Sequence, residues 1–402
     1  MKNLCFILFT VLFLLPCLTQ AGWIDQNSGI INELWSVHFP TDAQTGYAVG
    51  GYGKILKTTD GGANWVSQNS DTTYPFYSVH FPLDAQIGYA AGLHGMILKT
   101  TDGGANWIGQ NSGVSYSLWS IHFPVDAQTG YVVGIYGTIL KTTDGGANWV
   151  SQNSGTTNNL SSVYFPVDDQ TGYAVGDYGT VLKTMDGGAN WLDQTWNSDL
   201  FFTTVHFPAD AQTGYAVGWN CIIYKTINGG LNWTSQWPNT HNDRYAAWWS
   251  VHFPVDDQTG YVVGTGFNVL KTTDSGITWV YQNVSFGEVF SVYFPVDADT
   301  GYIVGQGGAI AKTTDGGGTF IEEEKSYDPD WQVKSLQVLP NPFVCSACVP
   351  GYEQEYFVLW DISGTRVGIY QGNCIGTDLA SGIYFLRPVD FSEKPIQIIK
   401  LR

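Results

Sequence analysis

One feature limits this chain more than any other: a nine-residue stretch that returns at a fixed step. Lys141-Thr142-Thr143-Asp144-Gly145-Gly146-Ala147-Asn148-Trp149 recurs with small changes at 57–65, 99–107, 183–191, 225–233 and 271–279. A last copy at 312–320 carries Phe320 in the Trp place. A second marker, Phe-Pro, begins at Phe39, Phe81, Phe123, Phe165, Phe207, Phe253 and Phe294, in steps of 42, 42, 42, 42, 46 and 41 residues. Two markers in one register over seven units define a repeat architecture, in which each unit buries its apolar face against its neighbours.

Each unit reads as four short strands, here called a to d. In the first unit they cover 34–39, 46–50, 54–59 and 64–68, punctuated by Pro, Gly and Asp. β-branched and aromatic residues dominate them, and no stretch of the repeats sustains a helical period. The nine-residue stretch is the end of c, a tight turn and the start of d. Its glycines supply the positive-φ positions. The carboxylates of Asp60, Asp102, Asp144, Asp186, Asp274 and Asp315, with Asn228 in the fifth unit, can accept N–H groups that the turn leaves unpaired. The Trp then packs a large apolar body beside the turn. Four strands in about forty residues is the pattern of a propeller blade. The fold class is therefore all-β, with a seven-bladed β-propeller over 22–324.

The same residues carry a family resemblance. Thr-x-Asp-x-Gly-x-x-Trp resembles the Asp-box (BNR) repeat. Gly-Tyr-x-x-Gly followed by Leu-Lys-Thr-x-Asp-Gly-Gly-x-x-Trp is similar to propellers of the photosystem II assembly-factor type. The resemblance implies the fold, and for function it implies a protein scaffold. The family pattern would also bring a basic patch, whereas here Lys54 is the only basic residue at the b–c tips and Arg244 the only Arg of the propeller.

Residues 1–21 read as a secretory signal peptide: Lys2, an apolar run from Leu4 to Leu18, and small residues ending at Ala21. The segment 22–29 then copies a d strand. The chain so holds eight d-like segments for seven blades, and either 22–29 or 318–323 could close the ring, the first being favoured. Residues 325–334 are polar, interrupted by Pro, and read as a linker. In 335–402, Leu339-Pro340-Asn341-Pro342-Phe343, Trp360-Asp361-Ile362-Ser363-Gly364, Leu379-Ala380-Ser381-Gly382-Ile383-Tyr384 and Ile398-Ile399-Lys400-Leu401 look like a type IX secretion system C-terminal sorting domain. That resemblance implies a small Ig-like β-sandwich, recognition by the type IX secretion machinery, and a secreted or outer-membrane surface address in a Gram-negative bacterium. Cys345, Cys348 and Cys374 would permit one disulfide with one thiol left over in an oxidising compartment.

In a propeller the d–a and b–c connections share one face, and the a–b and c–d connections the other. The second face hardly varies between units, and the first varies freely. Its candidate ligand-binding residues are Tyr52, His94, Tyr136, Tyr178 and Trp219 at the b–c tips, with Arg244, Tyr245 and Trp248 in the insertion of the fifth unit. Strand a ends in His38, His80, His122, His206 and His252, with Tyr164 and Tyr293 in the same place. A metal ring and a duplicated local hydrogen bond both fit that pattern, and the Tyr replacements favour the hydrogen bond.

A net charge of −18 without a basic cluster speaks against nucleic acid and anionic membranes. A single Arg in the propeller cannot form the cluster that a sialidase needs for its substrate carboxylate. No pair of acids announces itself as a glycosidase couple. The sequence thus reads as a non-catalytic binding or adhesion propeller, with a glycan or protein ligand and without cofactor, metal or membrane span in the mature chain. A polysaccharide-acting glycoside hydrolase and an assembly-factor-like scaffold are the alternatives.

Overall fold

The computed structural model describes residues 22–236, 247–266 and 268–318, and in the tail 356–361, 366–371, 379–388 and 396–400. The leader 1–21, the linker 325–334, Arg244, Tyr245 and the tail cysteines lie outside them. The chain divides into two compact units between Phe320 and Ile321. The repeats build seven four-stranded antiparallel sheets.

Blade 1 shows the plan. Strand a is Leu34–His38, b is Gly46–Gly50, c is Ile55–Thr58 and d is Val66–Gln68, hydrogen-bonded in that order. Strand b is buried along its whole length, and d is largely exposed. The core lies between blades, because successive side chains of a strand face opposite sides of its sheet. Leu34, Val37, Ala48 and Leu56 pack against Tyr302, Val304 and Ile310 of blade 7. Tyr47, Val49 and Ile55 pack on the other side against Phe76, Val79 and Phe81 of blade 2.

Each turn after strand c is held by side chains. Thr58 Oγ1 accepts from Gly62 N (2.9 Å) and donates to Asp60 Oδ1 (2.9 Å). Asp60 in turn accepts from the backbone and side-chain nitrogens of Asn64 at 2.9 and 2.7 Å. These bonds hold its carboxyl below the ordinary carboxylate range, the Asn64 side chain contributing most. Gly61 and Gly62 take φ 69° and 88°, where a Cβ is strained.

The next blade is latched to that turn. Tyr47 Oη donates to Ala85 O (2.8 Å) and Gly103 O (3.0 Å), and Lys57 Nζ donates to the same Gly103 O at 2.7 Å. The Lys arm recurs from Lys99, Lys141, Lys183, Lys225 and Lys271, and Lys312 reaches back to Gly61 O of blade 1 at 2.9 Å. A single local motif therefore serves twice, as hairpin and as inter-blade joint.

The N-terminal segment closes the ring. Blade 7 has strands Val289–Tyr293, Gly301–Gly305 and Ile310–Thr313, and its outer strand is Ile24–Gln26, with Ile24 opposite Lys312 and Gln26 opposite Ile310. Trp23 stands edge-on to Phe294 at 6.0 Å, as Trp65 stands to Phe39 at 6.1 Å. Gly22 N donates to Asp315 (3.2 Å) in the place where Asn64 N meets Asp60. The residue missing from the seventh copy, its Trp, thus comes from the other end of the repeats.

In the tail, Tyr356–Asp361, Arg366–Gln371, Gly382–Pro388 and Ile396–Lys400 form one antiparallel sheet in the order second, first, third, fourth. Phe357, Leu359 and Leu386 are buried in it. A partner sheet, which a sandwich requires, is not among the described residues.

Candidate functional site

Strand a does not alternate evenly. Leu34 pairs with Gly50 and Ser36 with Val49, so Trp35 is an extra residue, a β-bulge. The same shift recurs in the other six blades. Gly50 permits it: a Cβ there would meet the Glu33 carbonyl. The bulge turns two consecutive side chains of every blade towards the axis. Together they line a cavity of about 640 Å³ on the d–a and b–c side, with Asp177 and Trp219 at its mouth.

Each blade gives the cavity two levels. The upper ring is Trp35, Tyr77, Trp119, Ser161, Thr203, Trp249 and Phe290, with Trp35 stacked on Tyr77 at 5.0 Å. Below it comes a hydroxyl in each blade. Ser36 Oγ accepts from Val79 N of the next blade at 3.2 Å, and Ser78, Ser120, Ser162, Ser250 and Ser291 repeat the bond. Thr204 instead donates to Trp249 O at 2.7 Å.

Further along strand a, outside the cavity lining, comes the ring of histidines and tyrosines. Neighbours round it, from His38 through Tyr164 to Tyr293 and back, stand 4.7–5.1 Å apart between centroids. Nε2 of His80, His122, His206 and His252 each donates to the next unit's Phe carbonyl at 3.1–3.2 Å. A carbonyl can only accept, so Nε2 carries the proton in those four rings. Burial drives their pKa values down, to about 4 for His80 and His252 and about 3 for His122 and His206. The local hydrogen bond is what the structure shows, and no cluster of three metal-ligating side chains occurs among the described residues.

The candidate residues separate. Trp219 reaches the cavity and meets Trp249 edge-on at 5.3 Å. Tyr52, His94, Tyr136 and Tyr178 take the left-handed conformation one position further along their tips and are exposed, outside the lining of the axial cavity. His94, Tyr136 and Tyr178 pair there with Tyr74, Tyr116 and Phe201. Tyr52 is 73% exposed and borders a smaller cavity of about 480 Å³ that shares Trp35 with the axial one. Trp248 must be corrected. It is 1% exposed, in the inter-blade core, because it occupies the Leu34 position and the bulge gives the axis to Trp249.

Sequence reasoning missed Trp35, Tyr77, Trp119 and the hydroxyl ring. Their signal was present: apolar residues at the first and fourth places of every strand a break the period of two and mark a bulge.

Fold and site together define a repeat propeller with one invariant, latched face and one variable face around an axial cavity. The chain belongs to the family of the photosynthesis system II assembly factor YCF48, whose model matches residues 15–111, 110–191, 151–241 and 234–326. Among solved structures it is similar to "YCF48 bound to D1 peptide", with a TM-score of 0.60, 19% identity, and 74% of this chain and 97% of that one covered. YCF48 from Cyanidioschyzon merolae gives a TM-score of 0.59, 18% identity, and coverage of 73% and 98%. The GH74 xyloglucanase from Xanthomonas campestris gives 0.61 and 12% identity, with 81% of this chain and 59% of that one covered. Such identities speak for the fold alone. No curated protein matches the chain.

Proposed function

We propose that this chain is a non-catalytic binding propeller, and that its axial cavity seats a segment of another protein. The observation that carries the reading is the bulge in all seven strands a, which turns aromatic and hydroxyl side chains inward around one open cavity. A rigid, largely preformed concavity of apolar walls and a few polar groups is the usual form of a binding site. The relative solved with a bound peptide makes a protein ligand the natural first choice. A hydrolytic reading has less support, since two-carboxylate glycoside cleavage needs a facing pair and, among the described residues, Asp177 is the one carboxylate lining the cavity.

For its place of action we propose export: the leader 1–21 directs the chain out of the cytoplasm, and the tail delivers it to the type IX machinery and the cell surface, where it serves as an adhesion or scaffold module. Parallel peptide and glycan arrays probed with the full chain test the ligand class. Peptide capture that disappears in Trp249→Ala supports the reading. Capture of glycans alone would transfer it to a carbohydrate, and turnover of a polysaccharide would overturn it. Mass spectrometry of the mature protein tests the address, and an intact residue 1–21 segment on a cytosolic protein would end the export claim.

A further inference from the structure

The upper ring of the axial cavity is uneven. Five of its seven places are aromatic, and the two that are not, Ser161 and Thr203, are adjacent, in blades 4 and 5. Those two blades are the ones whose b–c tips lean over the mouth, through Asp177 and Trp219. The gap in the aromatic wall is thus overhung by a carboxylate and an indole. Asp177 is half-buried and held from behind: Asn159 Nδ2 donates to its Oδ2 at 2.8 Å, and its own N–H donates to Asn159 O at 3.0 Å. Its second carboxylate oxygen accepts no hydrogen bond from the described residues. Among the described residues no Lys or Arg lines the cavity, whose wall otherwise consists of Trp, Tyr, Phe, Ser and Thr.

Aromatic faces carry negative potential, and a cation that loses water among them gains most where one carboxylate supplies the formal counter-charge. An anionic group would enter here against Asp177, against the aromatic faces and against a net charge of −18. A neutral group could supply a hydrogen bond to the carboxylate oxygen but no counter-charge, and so would gain less there than a cation. We propose that the axial cavity is a cation-accepting aromatic cage, and that the partner segment enters it with an arginine or lysine side chain, its charge on Asp177 and its body against Trp249, Trp219 and Trp35. The inference rests on the binding reading above and names the chemistry of its ligand.

The test is a calorimetric titration of the full chain with end-capped pentapeptides, Gly-Gly-Arg-Gly-Gly and its lysine and trimethyllysine versions, against the citrulline isostere, which keeps the shape and loses the charge. Binding of the cationic peptides at least about tenfold tighter than citrulline is the expected result. Asp177→Asn should remove most of that preference, while Trp249→Ala should weaken the binding of cationic and citrulline peptides alike, with thermal melts showing each variant folded. Equal affinity for arginine and citrulline, an unchanged preference in Asp177→Asn, or no binding of the cationic peptides at millimolar concentration would each overturn the proposal. Cellohexaose is titrated in parallel. If it binds in a Trp249-dependent manner and the cationic peptides do not, the cationic cage falls while the cavity keeps its role as a binding site.

Discussion

Trp248 and Trp249 are adjacent in the chain and do opposite work. The first fills the core between blades 5 and 6, and the second forms part of the cavity wall. Truncating a buried indole forfeits its burial and leaves a void, so Trp248→Ala should cost about 3–5 kcal/mol. Trp249→Ala should cost far less stability and should abolish ligand capture. Thermal melts set beside a binding titration separate the two. The left-handed Tyr52, His94, Tyr136 and Tyr178 belong to the same scale. Gly307 occupies the corresponding place in blade 7. An aromatic side chain is strained there, and a strained, exposed aromatic is a reason to look for a contact at those tips.

Among the elements, the turn after strand c shows how much one acceptor matters. In blade 5, Asn228 Oδ1 accepts from Asn232 N at 2.9 Å and from Thr226 at 3.0 Å, as the Asp residues do elsewhere. Geometry, rather than charge, is what the turn requires. Asp144→Asn keeps the acceptor for Asn148 N but loses the one for Asn148 Nδ2, so it should cost less than Asp144→Ala, which strips both and should cost about 1 kcal/mol or more; chemical denaturation of both variants checks the ordering. The closing strand offers a larger effect. Deleting residues 22–29 removes Trp23 and bares the edge of Ile310–Thr313. The melting temperature should fall by several degrees, since in large domains each kcal/mol corresponds to about 2–4 °C. An unchanged melt would refute closure by this segment.

At the scale of the whole molecule, the buried ring at the end of strand a makes the propeller acid-sensitive. The folded-state pKa values of His80, His122, His206 and His252 lie at about 3–4, and His38 is also depressed, chiefly by burial and then by His80. In the unfolded chain each lies near 6.5. The unfolded state so binds more protons between these limits. Stability is fully present above about pH 6.5 and falls as the pH drops towards 4, by up to about 1.4 kcal/mol per pH unit for each histidine. Melting temperatures between pH 7 and 4 should decline steeply in the native chain. The decline should be shallower in His80→Tyr, whose side chain already serves at Tyr164 and Tyr293. A flat profile in the native chain would remove the histidine ring as the cause.

The repeat, the blade count, the four strands, the hairpin and the division into an invariant and a variable face were legible in the sequence, because each is a local pattern copied seven times and local patterns are what a period reveals. The exposed tips that carry Tyr52, His94, Tyr136 and Tyr178 were legible for the same reason. The cavity was not. Which of Trp248 and Trp249 faces the axis depends on one extra residue in the pairing of strand a with strand b, a matter of register between strands and not of residue type. Which segment completes blade 7 depends on a contact between residues more than 280 positions apart, Ile24 with Lys312, and both d-like segments matched the local pattern. The sequence by itself determined what each blade is. Only closure of the ring decided which side chains meet at its centre, since seven distant strands have to be brought to one axis before a Trp, a Ser or an Asp acquires its neighbours.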